Sequence, residues 1–239
     1  MLVTNFRLKY ALYKFILPIF QLFDTGRLHP VRERAVRALN NSVDYIEANM
    51  TKATGFETQK DLIVYALEQT QVPGCYMEFG VFTGGTINYM AKKKPNVVFH
   101  GFDSFEGLPE DWFGMPLVKH SFSLEGRLPK VGKSVKLYKG WFNETLPNWC
   151  VEHTDRVAFM HIDCDLYSST VVILETFEKR LQIGTVILFD EYFNYPNWED
   201  HEFKAWKEFV AKHGILYEYI GFARQQVAVR ITDICLKVI

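Results

Sequence analysis

The sequence predicts a doubly wound α/β fold built on a mostly parallel sheet. The chain has 239 residues and is 48% hydrophobic, which is enough to bury the core of one main domain. Short, almost wholly apolar runs alternate with segments of helical periodicity, and no repeat or Gly/Ser linker divides them. Strands that are apolar on both faces indicate a parallel sheet covered by helices on both sides.

The elements follow one another in a regular order. Helical spacing of apolar residues ends at Val72-Pro73-Gly74, and a short apolar strand then leads through a glycine-rich turn into a helix. The predicted elements are helices at 31–49 and 58–71, a strand at 75–81, a helix at 86–93, strands at 97–102, 135–138 and 157–162, a helix at 169–181, and a strand at 185–189.

Four of the predicted strands carry an acidic residue at or near their carboxyl ends. In doubly wound sheets, ligands bind outside these ends, so the four acids should line one crevice. Any one of them would serve equally well as a helix N-cap or a solvated loop residue. Four in register favour a ligand site, and they are Glu78, Asp103, Asp163 and Asp190.

The apolar stretch at 6–23 resembles a membrane segment, but three basic residues and Pro18 interrupt it. Its uncharged part is shorter than the roughly 20 residues that span a bilayer, so no stable membrane insertion is expected. We interpret residues 1–50 as a helical lid or interface segment and residues 51–239 as the main domain. Peripheral attachment to an anionic membrane is the alternative for the basic helix.

Charge and cysteine content restrict the partners and the compartment. Lys and Arg total 27 against 28 Asp and Glu, a formal charge of -1, so the basic surface that nucleic acid requires is not expected. The four cysteines are scattered and form no C-x-x-C pair. They are typical of a reduced compartment, which favours a cytoplasmic protein.

The turn from Gly80 to Gly85 and the acids beside it indicate the ligand. The turn lacks the G-x-G-x-x-G pattern of dinucleotide sites and the Lys-Ser/Thr ending of a P-loop. Glu78 would repel a pyrophosphate but suits an ammonium group, and Asp103 can accept hydrogen bonds from a ribose. A nucleoside joined to an amino acid meets both conditions, and S-adenosylmethionine is such a molecule.

Four sequence blocks resemble the macrocin O-methyltransferase-like (TylF) family, whose members methylate sugar hydroxyls of natural-product glycosides. The blocks are MEFGVFTGG from Met77, GFDSFEGLPEDW from Gly101, HIDCDLYSST from His161 and LFDEY from Leu188. The resemblance implies a class I methyltransferase fold, a glycoside or sugar acceptor, and a homodimer. The implied cofactor residues are Glu78, Phe79, Gly80, Val81, Thr83, Gly84, Gly85, Thr86, Asp103, Ser104, Phe105, Gly140, Trp141 and Asp163.

The resemblance also implies a metal site and a general base. Asp163, Asp190 and Glu191 would bind Mg²⁺ or another divalent cation, and Asp165 would be the base. The family usually has Asp-Asp where this chain has Asp190-Glu191, which affects metal affinity or metal choice. Asp163 and Asp165 are two residues apart, so an extended chain would direct them to opposite sides, and only a turn brings both into the crevice.

Other candidates are weighed beside this interpretation. His201 is a rival catalytic base, whereas His161 is expected to be a packed, hydrogen-bonded core residue. An aromatic group could stack on the acceptor or pack on itself as a lid, and it comprises Tyr192, Phe193, Tyr195 and Trp198. The alternative functions are a catechol or phenol O-methyltransferase, a non-catalytic S-adenosylmethionine-binding protein and an NAD-linked oxidoreductase.

Overall fold

The computed structural model describes residues 29–235, so the apolar stretch at 6–23 lies outside the described residues. The described helices are α1 Pro30–Asn49, α2 Gln59–Gln69, α3 Gly85–Lys93, α4 Phe142–Glu152, α5 Tyr167–Phe177 and α6 Glu202–His213. The described strands are β1 Thr54–Gly55, β2 Cys75–Phe79, β3 Phe99–Asp103, β4 Val135–Lys139, β5 Val157–Ile162, β6 Val186–Phe189, β7 Ile215–Ala223 and β8 Gln226–Ile234.

The eight strands form one sheet in the order β1-β7-β8-β6-β5-β2-β3-β4. Strands β2 to β6 pair in parallel, and β8 is antiparallel to both of its neighbours. From the centre, the chain proceeds outward through β2, β3 and β4 on one side and through β5 and β6 on the other. The order reverses between β2 and β5, where a doubly wound sheet opens its ligand crevice. The predicted fold class is confirmed.

The core lies on both faces of the sheet, as the apolar strands predict. Residues of β2 alternate between the faces: Met77 and Phe79 join one apolar cluster, and Tyr76 joins the other. Phe79 packs against Phe102 of β3 and Phe177 of α5, with ring centroids 5.3 and 5.6 Å apart. The five residues of β2 are buried, so this strand is the rigid centre of the domain.

Several elements differ from the sequence prediction. Strand β2 ends at Phe79, and helix α5 begins at Tyr167 and gives way to a 3₁₀ turn at Glu178–Arg180. Helices α4 and α6 and the β7–β8 hairpin were not predicted. Pro147 lies inside α4 and obscures its pattern, and β7 alternates irregularly between buried and exposed residues.

Helix α1 packs on the domain by a narrow polar and aromatic face. The Ser42 hydroxyl accepts the Asn194 N–H at 2.8 Å, and the Tyr45 and Tyr219 hydroxyls are 2.6 Å apart. Arg34 donates to the Gly114 carbonyl and to the Asn197 side chain. Among residues 29–235, no helix is both long and apolar enough to span a membrane.

Candidate active site

A cavity of about 580 Å³ opens at the carboxyl ends of the central strands, where the strand order reverses. Its volume is in the range of small-molecule sites. One side, here called the glycine wall, comprises Gly80, Asp103, Ser104, Gly140 and Trp141. A second group of lining residues, the acidic wall, comprises Asp163, Asp165 and Glu191. The remaining lining residues include Phe82, Leu108, Trp112, Phe122, Phe142, Glu144, Ser168 and Ser169.

The two walls meet at Gly80, directly after β2. Its φ is +91°, and a Cβ added there would lie 1.7 Å from the Asp163 carbonyl oxygen. The Gly80 N–H donates to the Phe102 carbonyl, and the Asp163 N–H donates to the Phe79 carbonyl. The loops that follow β2 and β5 therefore leave the sheet side by side. A side chain cannot fit here, because the backbone of the acidic wall occupies its place.

Asp103 organises the glycine wall through backbone amides. One carboxylate oxygen accepts the N–H groups of Val81 and Phe82, each at 2.8 Å, and the other accepts the Phe105 N–H at 2.6 Å. The Gly140 N–H donates to the Asp103 carbonyl at 3.0 Å, which ties the end of β4 to the end of β3. Asp103 therefore fixes the shape of the wall and also lines the cavity.

The other residues predicted for the cofactor fall into two groups. Ser104, Gly140 and Trp141 line the cavity with Gly80, Asp103 and Asp163. The remaining residues do not line it. Glu78, Phe79, Val81 and Phe105 are buried in the core, whereas Thr83, Gly84, Gly85 and Thr86 form the start of α3, where Gly84 is the N-cap with a φ of +79°.

A tight turn brings both aspartates of the acidic wall into the cavity. Asp165 has a φ of +66°, and the Leu166 N–H donates to the Cys164 carbonyl at 2.7 Å across it. A left-handed conformation is uncommon for a residue other than glycine and costs energy. The turn makes Asp163 and Asp165 neighbours, although an extended chain would separate them.

The three carboxylates of the acidic wall offer oxygens that all lie within 4.8 Å of one another. Burial and the charge of Asp190 raise the pKa of Asp163 and of Glu191 well above their ordinary values. Burial and the charges of Asp190 and Asp103 raise the pKa of Asp165 to about 7. Oε2 of Glu191 is buried and has no hydrogen-bond partner among the described residues. Such a group of acids is the arrangement that a divalent cation relieves.

Asp190 stands behind this cluster, in a buried network. His161 is fully buried and lies 3.0 Å from a Glu78 oxygen and 3.2 Å from Asp190 Oδ1, which Gln226 also contacts. Burial would raise the pKa of Asp190, but hydrogen bonds from His161 and Gln226 hold it below its usual value. His161 is thus the packed, hydrogen-bonded residue that the sequence predicts. Asp190 does not line the cavity, and one of its oxygens is already occupied.

His201 does not reach the cavity. Its Nε2 lies 2.8 Å from the Phe113 carbonyl oxygen, and the ring packs near Trp112 and Tyr195. Its Nδ1 is buried and has no hydrogen-bond partner within residues 29–235. The residue therefore fastens the loop between β3 and β4 to the segment before α6. The predicted aromatic group is buried and packs on itself and on its neighbours rather than lining the cavity.

Sequence reasoning missed two residues that shape the acidic wall. Glu202 begins α6 and accepts backbone N–H groups of both acidic loops, and Gln226 reaches Asp190 from β8. The only signal for Glu202 is an acid at a helix start, a position where negative charge is ordinary. Gln226 had no signal, because the β7–β8 hairpin itself was not predicted.

Comparison with known proteins identifies relatives of this chain. The sequence profile of the family described as macrocin O-methyltransferase (TylF) matches residues 34–224. A relative from Streptomyces olivaceus, 8-demethyl-8-(2,3-dimethoxy-alpha-L-rhamnosyl)-tetracenomycin-C 4'-O-methyltransferase, is 32% identical over 146 residues, 51% of this chain and 54% of the relative. Demethyldecarbamoylnovobiocin O-methyltransferase from Streptomyces niveus is 29% identical over 178 residues, 65% of each chain. The matches thus span between half and two thirds of these relatives.

Solved structures share the fold. The calicheamicin methyltransferase CalS11 superposes with a TM-score of 0.60 at 21% identity, covering 87% of this chain and 93% of CalS11. The O-methyltransferase NovP superposes with a TM-score of 0.57 at 24% identity, covering 73% of this chain and 80% of NovP. At these identities the likeness supports the class I methyltransferase fold.

Proposed function

The chain belongs to the macrocin O-methyltransferase (TylF) family, and from this premise we propose that it methylates a sugar hydroxyl of a small-molecule glycoside. The methyl donor would be S-adenosylmethionine, and a divalent cation would assist at the acceptor. One observation carries the proposal: a single cavity joins the glycine wall to three carboxylates whose oxygens lie within 4.8 Å of one another. The first surface suits the cofactor, and the second suits a hydroxyl that must lose its proton.

The cofactor would be held by the glycine wall. Gly80, Asp103, Ser104, Gly140 and Trp141 line this side, and Asp103 is anchored by three backbone amides, so its position does not depend on a ligand. When bound, S-adenosylmethionine supplies an electrophilic methyl group, and the protein mainly has to orient it. The rigid wall is suited to that task.

The acidic wall fits a divalent cation. All ligands in this group are carboxylate oxygens, and one buried Glu191 oxygen has no hydrogen-bond partner in the described part of the chain. Burial and neighbouring negative charge raise the pKa values of Asp163 and Glu191, and a cation would offset that charge. Asp163 and Glu191 would hold the ion, and Asp190, whose Oδ1 contacts His161 and Gln226, would add negative charge from behind the cluster. When bound, such an ion acidifies a coordinated hydroxyl and stabilises the charge that develops on its oxygen.

Asp165 would accept the proton of the acceptor hydroxyl. It lines the cavity, and one of its carboxylate oxygens lies within 4.8 Å of ligand oxygens of Asp163 and Glu191, close to where a coordinated hydroxyl would release its proton. A positioned base typically contributes about 10²–10⁴-fold to the rate. His201 is disfavoured as the base, because its ring faces Phe113 outside the lining of the cavity.

An uncharged sugar fits the rest of the cavity. The lining residues include five acids and no Lys, Arg or His within the described part of the chain, so a phosphorylated acceptor would be repelled. Among residues 29–235 no lysine lines the cavity, which disfavours a catechol-type enzyme, because such enzymes usually place a lysine base near the acceptor. The apolar part formed by Phe82, Trp112 and Phe122 suits the aglycone of a glycoside.

We also propose that the protein is a cytoplasmic homodimer. The four cysteines are free, which supports a reducing compartment. Helix α1 exposes Val36, Leu39 and Val43 along one face, which a second copy of the chain would cover. Light scattering after size exclusion tests the assembly, and a monomeric mass at micromolar concentration would contradict it.

Product analysis tests the proposed reaction. The enzyme is incubated with Mg²⁺, S-adenosylmethionine carrying a deuterated methyl group, and a panel of rhamnosides, nucleotide-activated rhamnose and catechols, and the products are fragmented by mass spectrometry. We expect label on a sugar hydroxyl of a rhamnoside, and an Asp165→Asn variant that binds S-adenosylhomocysteine normally but turns over at least about 10²-fold more slowly. Label only on the catechol, or wild-type rates in Asp165→Asn, would overturn the acceptor or the base respectively.

A further inference from the structure

Glu202 is a fully buried acid that touches both loops of the acidic wall. Its Oε1 accepts the Cys164 N–H at 3.4 Å, and its Oε2 accepts the Glu191 N–H at 3.1 Å. Cys164 lies between the two aspartates of the turn after β5, whereas Glu191 lies in the loop after β6. One carboxylate therefore bridges the backbones that carry the whole carboxylate cluster.

The position of Glu202 is fixed by helix α6. Glu202 is the first residue of α6, and Ala205 and Trp206 in the next turn are buried in the core. The carboxylate thus has little freedom to follow the loops, and the loops are held to it.

Glu202 lies outside the lining of the cavity, so it acts through the loops. The ligand oxygens of Asp163, Asp165 and Glu191 lie within 4.8 Å of one another, and the two hydrogen bonds from the backbone to Glu202 hold the two loops at that spacing. We propose that Glu202 is a positioning residue that sets the spacing of the two acidic loops and thereby the affinity and size preference of the cation site. The inference rests on the cation role in the proposed function.

The substitution Glu202→Gln separates this role from simple packing. Glutamine has nearly the same shape but only one acceptor oxygen, and its NH₂ group would face one of the two backbone N–H donors. One half of the bridge is lost while the buried volume stays the same. Glu199→Gln is the matched control, because Glu199 is exposed and lies three residues away in the same segment.

The experiment compares three ligands by calorimetry: Mg²⁺, Ca²⁺ and S-adenosylhomocysteine, each titrated into wild type, Glu202→Gln and Glu199→Gln. In Glu202→Gln we expect Mg²⁺ affinity to fall about 10–100-fold, as for residues that orient metal ligands. Ca²⁺ affinity should fall less, because a looser site suits the larger, more adaptable ion. S-adenosylhomocysteine affinity should stay within twofold, and Glu199→Gln should match wild type throughout.

Two outcomes overturn the inference. One is unchanged Mg²⁺ affinity in folded Glu202→Gln, and the other is a parallel loss of all three ligands, which would mean a general structural role. A wild-type protein that binds no Mg²⁺ would instead overturn the cation role, and this inference with it. If Glu202→Gln does not fold cooperatively, the same titrations on Glu202→Asp decide, because the shorter carboxylate also cannot bridge both loops.

Discussion

The two walls of the cavity differ in how the negative charge of their acids is compensated. Asp103 of the glycine wall receives three backbone N–H groups, so its charge is compensated within the protein. The acids of the acidic wall are buried close together, and burial with neighbouring negative charge raises their pKa values. The comparison indicates that the charge of the glycine wall is compensated within the protein, whereas the charge of the acidic wall would be compensated by the cation that we propose.

Replacing Asp163 should have the largest effect on activity, because it removes a carboxylate from the acidic wall. We expect Asp163→Asn to lose measurable Mg²⁺ binding and to lower turnover by about 10³-fold or more, since the ion contributes several kcal/mol to the transition state. Calorimetry and initial rates measure the two losses. Asp155→Asn, at the opposite end of β5, is the control. Wild-type Mg²⁺ affinity in Asp163→Asn would place the ion elsewhere.

Disrupting the close contact between Gly80 and the Asp163 backbone, where the two walls meet, should lower the stability of the protein. In Gly80→Ala the new Cβ would overlap the Asp163 carbonyl at a φ of +91°, so we expect a loss of about 3 kcal/mol in the free energy of unfolding. Gly85→Ala is the matched control: no atom lies within 4 Å of its added Cβ. Urea unfolding of the two variants measures the difference. Equal stability would show that the two loops are not tightly joined.

Neutralising Asp103 should affect the glycine wall more than the acidic wall. Asp103→Asn keeps the shape but weakens acceptance of the Val81, Phe82 and Phe105 amides. We expect S-adenosylhomocysteine affinity to fall about tenfold, the equivalent of about 1.4 kcal/mol, while Mg²⁺ affinity measured without cofactor changes much less. A joint loss of both affinities would mean that the walls are coupled more strongly than their separate hydrogen bonds indicate.

The smallest effect is the pH dependence of stability that His100 of β3 contributes. Burial and the nearby charges of His153 and Lys136 lower the pKa of His100 from 6.5 to about 4. As the pH falls below 6.5, the unfolded chain takes up this proton first, so the neutral buried ring contributes stability that is lost between pH 6.5 and 4. The stability advantage of wild type over His100→Gln should therefore shrink from pH 7 to pH 5. An equal difference at both values would exclude this titration.

The sequence was sufficient for the central sheet and for the line of acids at its edge. Apolar strands and glycine turns are local signals, so β2 to β6 could be predicted with small errors at their ends. The β7–β8 hairpin could not, because its long strands are partly exposed and lack a regular pattern.

The site was harder to predict than the fold, because its decisive contacts are not local. The sequence assigned Gly80 to the cofactor turn, whereas the atom closest to the place of a Cβ at Gly80 is the backbone oxygen of Asp163. It suggested that His201 could reach the acceptor, whereas the ring faces Phe113, 88 residues earlier in the chain. The bridge from Glu202 depends on the packing of α6 against two loops, which no spacing in the sequence reveals.

The dependence of the methyl transfer rate on Mg²⁺ tests the central claim most directly, once an acceptor is known. Initial rates are measured on chelator-treated enzyme as Mg²⁺ is returned, with S-adenosylmethionine at saturation. If a cation completes the acidic wall, the rate should fall to background after chelation. It should then return with a single saturable dependence on Mg²⁺. Full activity after exhaustive chelation would contradict the account.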